Sequence, residues 1–210
     1  MNEYLVYAIG FLAQLLFSSR LIVQWLKSEK VKEVITPTSF WTLSLLASLL
    51  LFIYGYQRDD FAIMLGQGIT YFIYIRNLQL LGEWSKYPKF VQYFLIVVPT
   101  LVAIFYFNNN KIDVDLLFKN ENIPIKLLIL GIVSQLIFTL RFVYQWLYSE
   151  YKKKSNLPLG FWILSVIGSL LILIYAYFRR DPVLLVGHGL GLFIYIRNLF
   201  LIKGHHVSKA

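Results

Sequence analysis

The chain has 210 residues, of which 58% are hydrophobic, 18% aromatic and only 15% charged. Soluble domains carry roughly 25% charged residues, so a water-soluble globular fold is excluded. The net charge of +9 would suit nucleic acid, but in so apolar a chain it reports basic loops beside anionic lipid, and no nucleic-acid partner is expected. With no cysteine, disulfides and thiolate metal sites are excluded as well.

In chain order, seven apolar segments stand out: Tyr4–Trp25, Phe40–Tyr56, Phe61–Leu81, Pro88–Phe107, Ile125–Tyr148, Phe161–Phe178 and Pro182–Ile202. Each approaches the 20 or so residues that cross a bilayer. Strand-like alternation is absent, and backbone polar groups in lipid must be satisfied within a segment, so these read as helices. Met1-Asn2-Glu3 lacks the basic stretch of a signal peptide, and none is expected. Trp25, Trp41, Trp146 and Trp162 lie at segment ends, where interfacial anchors are expected.

A shift of 121 residues lays Arg20–Gly82 on Arg141–Lys203 without a gap, and 30 of 63 positions are then identical. Arg20, Gln24, Trp25, Ser28 and Glu29 fall on Arg141, Gln145, Trp146, Ser149 and Glu150. Tyr74, Arg76 and Asn77 fall on Tyr195, Arg197 and Asn198. Each repeat holds three helices, and one unrepeated helix returns the chain to its starting side, so the repeats share one orientation. The expected fold is an all-α integral membrane protein of seven transmembrane helices, two parallel three-helix-bundle repeats joined by a linker helix (3+1+3). The expected boundaries are 1–82 for the first repeat, 83–124 for the linker and 125–210 for the second repeat with its tail.

Six Lys or Arg residues fall on the side of the N-terminus and fourteen on the other. The positive-inside rule then places the C-terminus in the cytoplasm and the N-terminus outside.

Arg20, Gln24 and Ser28 share one helix face, as do Arg141, Gln145 and Ser149. Either the arginines snorkel to headgroups, or they face an internal cavity and hold an anion. The neighbouring glutamines favour the cavity. Arg20, Gln24, Arg141 and Gln145, with Arg76 and Arg197 at the rim, are the expected phosphate-binding residues. Gln67, Tyr74, Asn77, His188, Tyr195 and Asn198, with Trp41 and Trp162, are the expected sugar path; for Tyr74 and Asn77 the alternative is hydrogen bonding between helices. Ser44, Ser48, Ser165 and Ser169 read as small residues for close packing. Asp60 and Asp181 read as turn and N-cap residues, and Glu29 and Glu150 as partners of local lysines or of a buried arginine. His188 has no second ligand at useful spacing, so no metal is expected. No nucleophile–base pair or phosphate loop appears; no catalytic residue and no cofactor are expected, and the chain reads as a protein that is not an enzyme.

The combination R-x-x-x-Q-W-x-x-S-E, P-x-x-F-W-x-x-S, R-x-D, G-x-G and Y-I-R-N-L, present in both repeats, resembles the lipid A biosynthesis N-terminal domain family. The 3+1+3 arrangement is also similar to the SWEET and SemiSWEET transporters of the PQ-loop group, although no proline here precedes a glutamine. The resemblance implies a multi-pass protein of the bacterial inner membrane, monomeric or homodimeric, whose partners are membrane lipids and a phosphorylated lipid-linked sugar. The expected function is a transporter or flippase for a polyprenyl-phosphate-linked sugar or glycolipid precursor. The alternatives are a non-catalytic module presenting lipid substrate to a partner glycosyltransferase, and a free-sugar transporter, which the buried arginines disfavour because a neutral sugar leaves them unpaired.

Overall fold

A computed structural model describes residues 3–58, 61–108 and 124–207. Its long elements are all helices: α1 (Glu3–Val31), α2 (Thr38–Gln57), α3 (Phe61–Leu80), α4 (Lys89–Asn108), α5 (Ile125–Lys152), α6 (Leu159–Arg179) and α7 (Pro182–Val207). By length and composition α1, α2, α5, α6 and α7 can cross a membrane. Five of the seven expected spans thus meet that standard among the described residues.

Local chemistry sets the helix starts. Pro37, Pro124 and Pro158 are the N-caps of α2, α5 and α6. Proline has a fixed φ and no N–H to leave unpaired. Its carbonyl accepts the first amide bond, as Pro37 does from Phe40 N at 2.9 Å and Pro158 from Phe161 N at 2.9 Å. Asp181 caps α7 with its side chain, Oδ1 accepting from Val183 N at 3.0 Å and Leu184 N at 3.1 Å. The cap reading thus holds for Asp181, whereas Asp60 lies outside the described residues. α1 and α5 run several residues beyond their apolar segments, because their polar last turns have partners on other helices.

Six helices form a closed ring in the order α1, α2, α3, α5, α6, α7 and back to α1. Within each repeat the helices pack in sequence; the repeats meet at two seams, α3 against α5 and α7 against α1. α4 stands outside this ring, tied to it where Tyr71 Oη donates to the Leu95 carbonyl at 2.7 Å. The core lies toward the end of the ring where α2 and α6 begin, and there Phe40, Trp41, Tyr74, Phe161, Trp162 and Tyr195 are buried. Trp41 and Trp162 have no exposed surface; they are corrected from interfacial anchors to core residues, each set against a tyrosine of the third helix of its repeat, Tyr74 at 6.0 Å and Tyr195 at 6.1 Å. Aromatic rings this large exclude lipid from the ring interior.

Close helix approach is clearest at Gly168, where an added Cβ would come within 3.0 Å of the Phe138 backbone. Replacing Gly168 by Val should cost about 1–3 kcal/mol, measured as a lower Tm in detergent. Gly189→Ala, where a Cβ meets nothing within 4 Å, should leave Tm unchanged or slightly raised.

Candidate functional site

Arg20 and Arg141 sit deep in α1 and α5, only 3% and 2% exposed, so neither snorkels. Arg20 Nη1 donates to Ser44 Oγ, and Arg141 Nη1 donates to Ser165 Oγ at 3.1 Å. Those serines pass their own protons to the carbonyls of Phe40 and Phe161. Close packing was therefore an incomplete reading of Ser44 and Ser165: they hold the two guanidiniums.

Aromatic faces supply the rest of the setting. Arg20 Cζ lies 4.5 Å from the Phe17 ring centre and 4.8 Å from that of Phe40. Arg141 Cζ lies 3.4 Å from Phe138 and 5.3 Å from Phe161. Both arginines share Phe142, at 5.3 and 4.6 Å. On insertion scales a central arginine costs about 2.5–3.5 kcal/mol. Cation–π contacts of about 0.5–2 kcal/mol each offset part of that without neutralising the charge. Among the described residues no carboxylate pairs with either arginine, and the Nε of each has no hydrogen-bond partner.

Both guanidiniums line one cavity of about 70 Å³, together with Gln67, Tyr74, His188 and Tyr195. His188 meets Ser169 Oγ at 3.3 Å through Nδ1 and packs edge-on against Phe138 at 4.5 Å. Gln14 and Gln135 also line this cavity. The sequence reading missed them, although the 121-residue shift lays one on the other once it is extended toward the N-terminus.

The other expected site residues do not line the cavity; they close the seams. Gln24 Nε2 donates to Asn198 Oδ1 at 3.0 Å, and Asn198 Nδ2 donates back to Gln24 Oε1 at 3.2 Å. At the second seam Gln145 Nε2 donates to Asn77 Oδ1 at 2.8 Å, and Asn77 Nδ2 returns a bond at 3.1 Å. Gln24 and Gln145 also donate to Ser28 at 2.9 Å and Ser149 at 2.8 Å. Farther along the seams, Arg197 donates to both carboxylate oxygens of Glu29 at 2.6 and 3.2 Å. Arg76 forks the same way onto Glu150, with Nη2 3.2 Å from Oε2. Gln24, Gln145, Asn77, Asn198, Arg76 and Arg197 thus move from substrate contacts to clasps between repeats. The physical reason is that a buried amide must be hydrogen-bonded, and here its complement is the matching amide of the other repeat. Trp41 and Trp162 likewise leave the path for the core.

These features define an all-helical protein with a duplicated sequence, membrane-length apolar helices and a cationic central cavity. The chain belongs to the lipid A biosynthesis N-terminal domain family, matching it at residues 9–79 and again at 130–200. It is 35% identical over 202 residues to a lipid-A-disaccharide synthase of Chlamydia pneumoniae, covering 94% of this chain and 33% of the relative. The corresponding protein of Chlamydia felis is 30% identical over 208 residues, covering 95% and 33%. That of Chlamydia trachomatis serovar D is 28% identical over 203 residues, covering 92% and 33%. The chain spans about a third of the length of these relatives. No solved structure matches. The expectation that the chain is not an enzyme is corrected by these relatives, which carry the name of an enzyme across nearly the whole of this sequence. Motif searching missed this because no nucleophile–base pair or phosphate loop falls within the shared third.

The reciprocal amide pairs make a direct test. Asn77→Leu leaves the buried Gln145 amide without its partner and should cost about 1–3 kcal/mol. In a double-mutant cycle read by Tm, adding Gln145→Leu should cost markedly less than the sum of the single changes. Strict additivity would show that the two amides are not coupled.

Proposed function

We propose that the chain is an inner-membrane protein of lipid A biosynthesis that binds and translocates a lipid-linked sugar, with the lipid phosphate held between Arg20 and Arg141. The observation that carries this reading is the pair of buried guanidiniums, uncompensated among the described residues, facing one cavity between two repeats. A phosphate supplies the missing acceptors, and guanidinium forks match its geometry bidentately. A neutral solute would leave both charges unpaired at full desolvation cost.

In this reading all seven helices cross the membrane, with the N-terminus periplasmic and the C-terminus cytoplasmic, which the distribution of Lys and Arg supports. The repeats form one domain each and α4 is the topological spacer. The clasps lie below the arginines, toward the cytoplasmic end, and seal the cavity there. A cavity of about 70 Å³ is too small for a sugar, since ligand sites usually occupy roughly 300–1,000 Å³. Binding therefore requires the seams to part, and the half-exposed Arg–Glu forks are the contacts that open first.

A second reading is favoured by the relatives' names and by the third of their length that the chain spans. Here the same site holds a lipid A precursor for disaccharide formation. Both readings put phosphate on the arginines, and the purified chain in proteoliposomes separates them. Movement of a labelled polyprenyl-phosphate sugar between leaflets supports translocation; retained binding with no movement supports the second reading. In either case Arg20→Gln and Arg141→Gln should each weaken lipid-phosphate binding by about tenfold to a hundredfold, the worth of one charge-assisted contact. Binding that survives the double change would end the proposal.

A further inference from the structure

The cavity has two chemically distinct ends. The inner end is cationic, lined by Arg20 and Arg141. The outer end is a collar of amides, Gln14 from α1, Gln67 from α3 and Gln135 from α5. Six residues separate Gln14 from Arg20 and Gln135 from Arg141, about 9 Å along each helix at 1.5 Å per residue.

The collar is built across the seams. A Cβ on Gly187 would lie 2.2 Å from Gln14 Oε1, and one on Gly66 would lie 2.7 Å from Gln135 Nε2. Each glutamine therefore lies over a glycine of the opposite repeat, in space that any other residue would fill. Nearby hydroxyls are already committed, Thr70 Oγ1 to the Gly66 carbonyl at 2.9 Å and Ser169 to His188. Gln67, 9% exposed, keeps an Oε1 with no partner among the described residues. A buried acceptor left in this state is expensive and calls for a donor.

We infer that Gln67, within the Gln14–Gln67–Gln135 collar, reads a hydroxyl or amide N–H of the sugar, so that the ligand is a phosphosugar bound with its phosphate innermost and its sugar toward the amino-terminal end of α1. This deepens the preceding proposal and rests on its anion site. The polarity of the lining prescribes the ligand: acceptors at one end for the guanidiniums, a donor at the other for Gln67. Gln67 is a specificity residue, and the arginines supply the affinity.

The test uses the full chain in detergent micelles and three probes: inorganic phosphate, glucose 1-phosphate and phenyl phosphate, whose ring offers no hydroxyl. The expected result is binding of glucose 1-phosphate about fivefold to tenfold tighter than phenyl phosphate, the worth of one hydrogen bond to a buried acceptor. Gln67→Met should erase that preference while leaving inorganic phosphate within about twofold, since no charged contact is touched. Should Gln67→Met not fold, Gln67→Leu removes the same acceptor with a smaller side chain, and the same loss of preference is expected. Equal weakening of all three probes by the variant would mean that the collar only shapes the cavity and would overturn the inference. Phosphate binding with no preference for the sugar ester overturns this inference alone; no binding of phosphate at all overturns the anion site beneath it.

Discussion

Two like charges confined to a low-dielectric interior constrain nearly everything else in this protein. Arg20 and Arg141 share one ring, Phe142, and neither has a carboxylate among the described residues. Their repulsion and desolvation must be met by groups that do not cancel them. Serines one helix away and aromatic faces meet that need without cancelling the charge.

The seal is an arrangement of pairs. Every clasp joins a first helix to the third helix of the other repeat: Gln24 to Asn198, Gln145 to Asn77, Glu29 to Arg197, Glu150 to Arg76. The amide pairs are buried and the ion pairs half-exposed, a gradient from rigid near the cavity to labile at the rim. Exposed ion pairs contribute about 0–1 kcal/mol each, whereas an orphaned buried amide costs about 1–3 kcal/mol. The amides therefore set the geometry of the seam, and the ion pairs set which residues meet at its edge.

Much of this was legible in the residue string, because a duplication announces itself as identities at fixed offset and apolar length announces helices. The buried arginines were legible too, since Gln24 and Gln145 beside them make no sense facing lipid. What the string did not carry was the partner of each polar group. Helical spacing put Gln24 on the face of Arg20 and suggested a common ligand; in three dimensions Gln24 turns to Asn198, 174 positions away in sequence. For Asn77 the string left two roles open, a sugar path or a hydrogen bond between helices, and the structure shows the second with Gln145, because complementary amides satisfy one another first. Trp41 and Trp162 were misplaced because position within a segment says nothing about which way a side chain faces. Gln14 and Gln135 escaped notice because the repeat was begun at Arg20, six residues too late.

The symmetric clasps also govern how such a chain can change. A substitution at Arg76 is felt by Glu150, which belongs to the other half, so at the seams the halves are bound to evolve as lock and key. Within the cavity the halves agree at Arg20 and Arg141 and at Gln14 and Gln135, yet elsewhere they have drifted: Gln67 corresponds to His188, Thr70 to Gly191 and Leu21 to Phe142. Duplication has thereby given one scaffold two independently editable walls. A site built from a true dimer of identical units could never become lopsided, whereas the two walls of this one already differ.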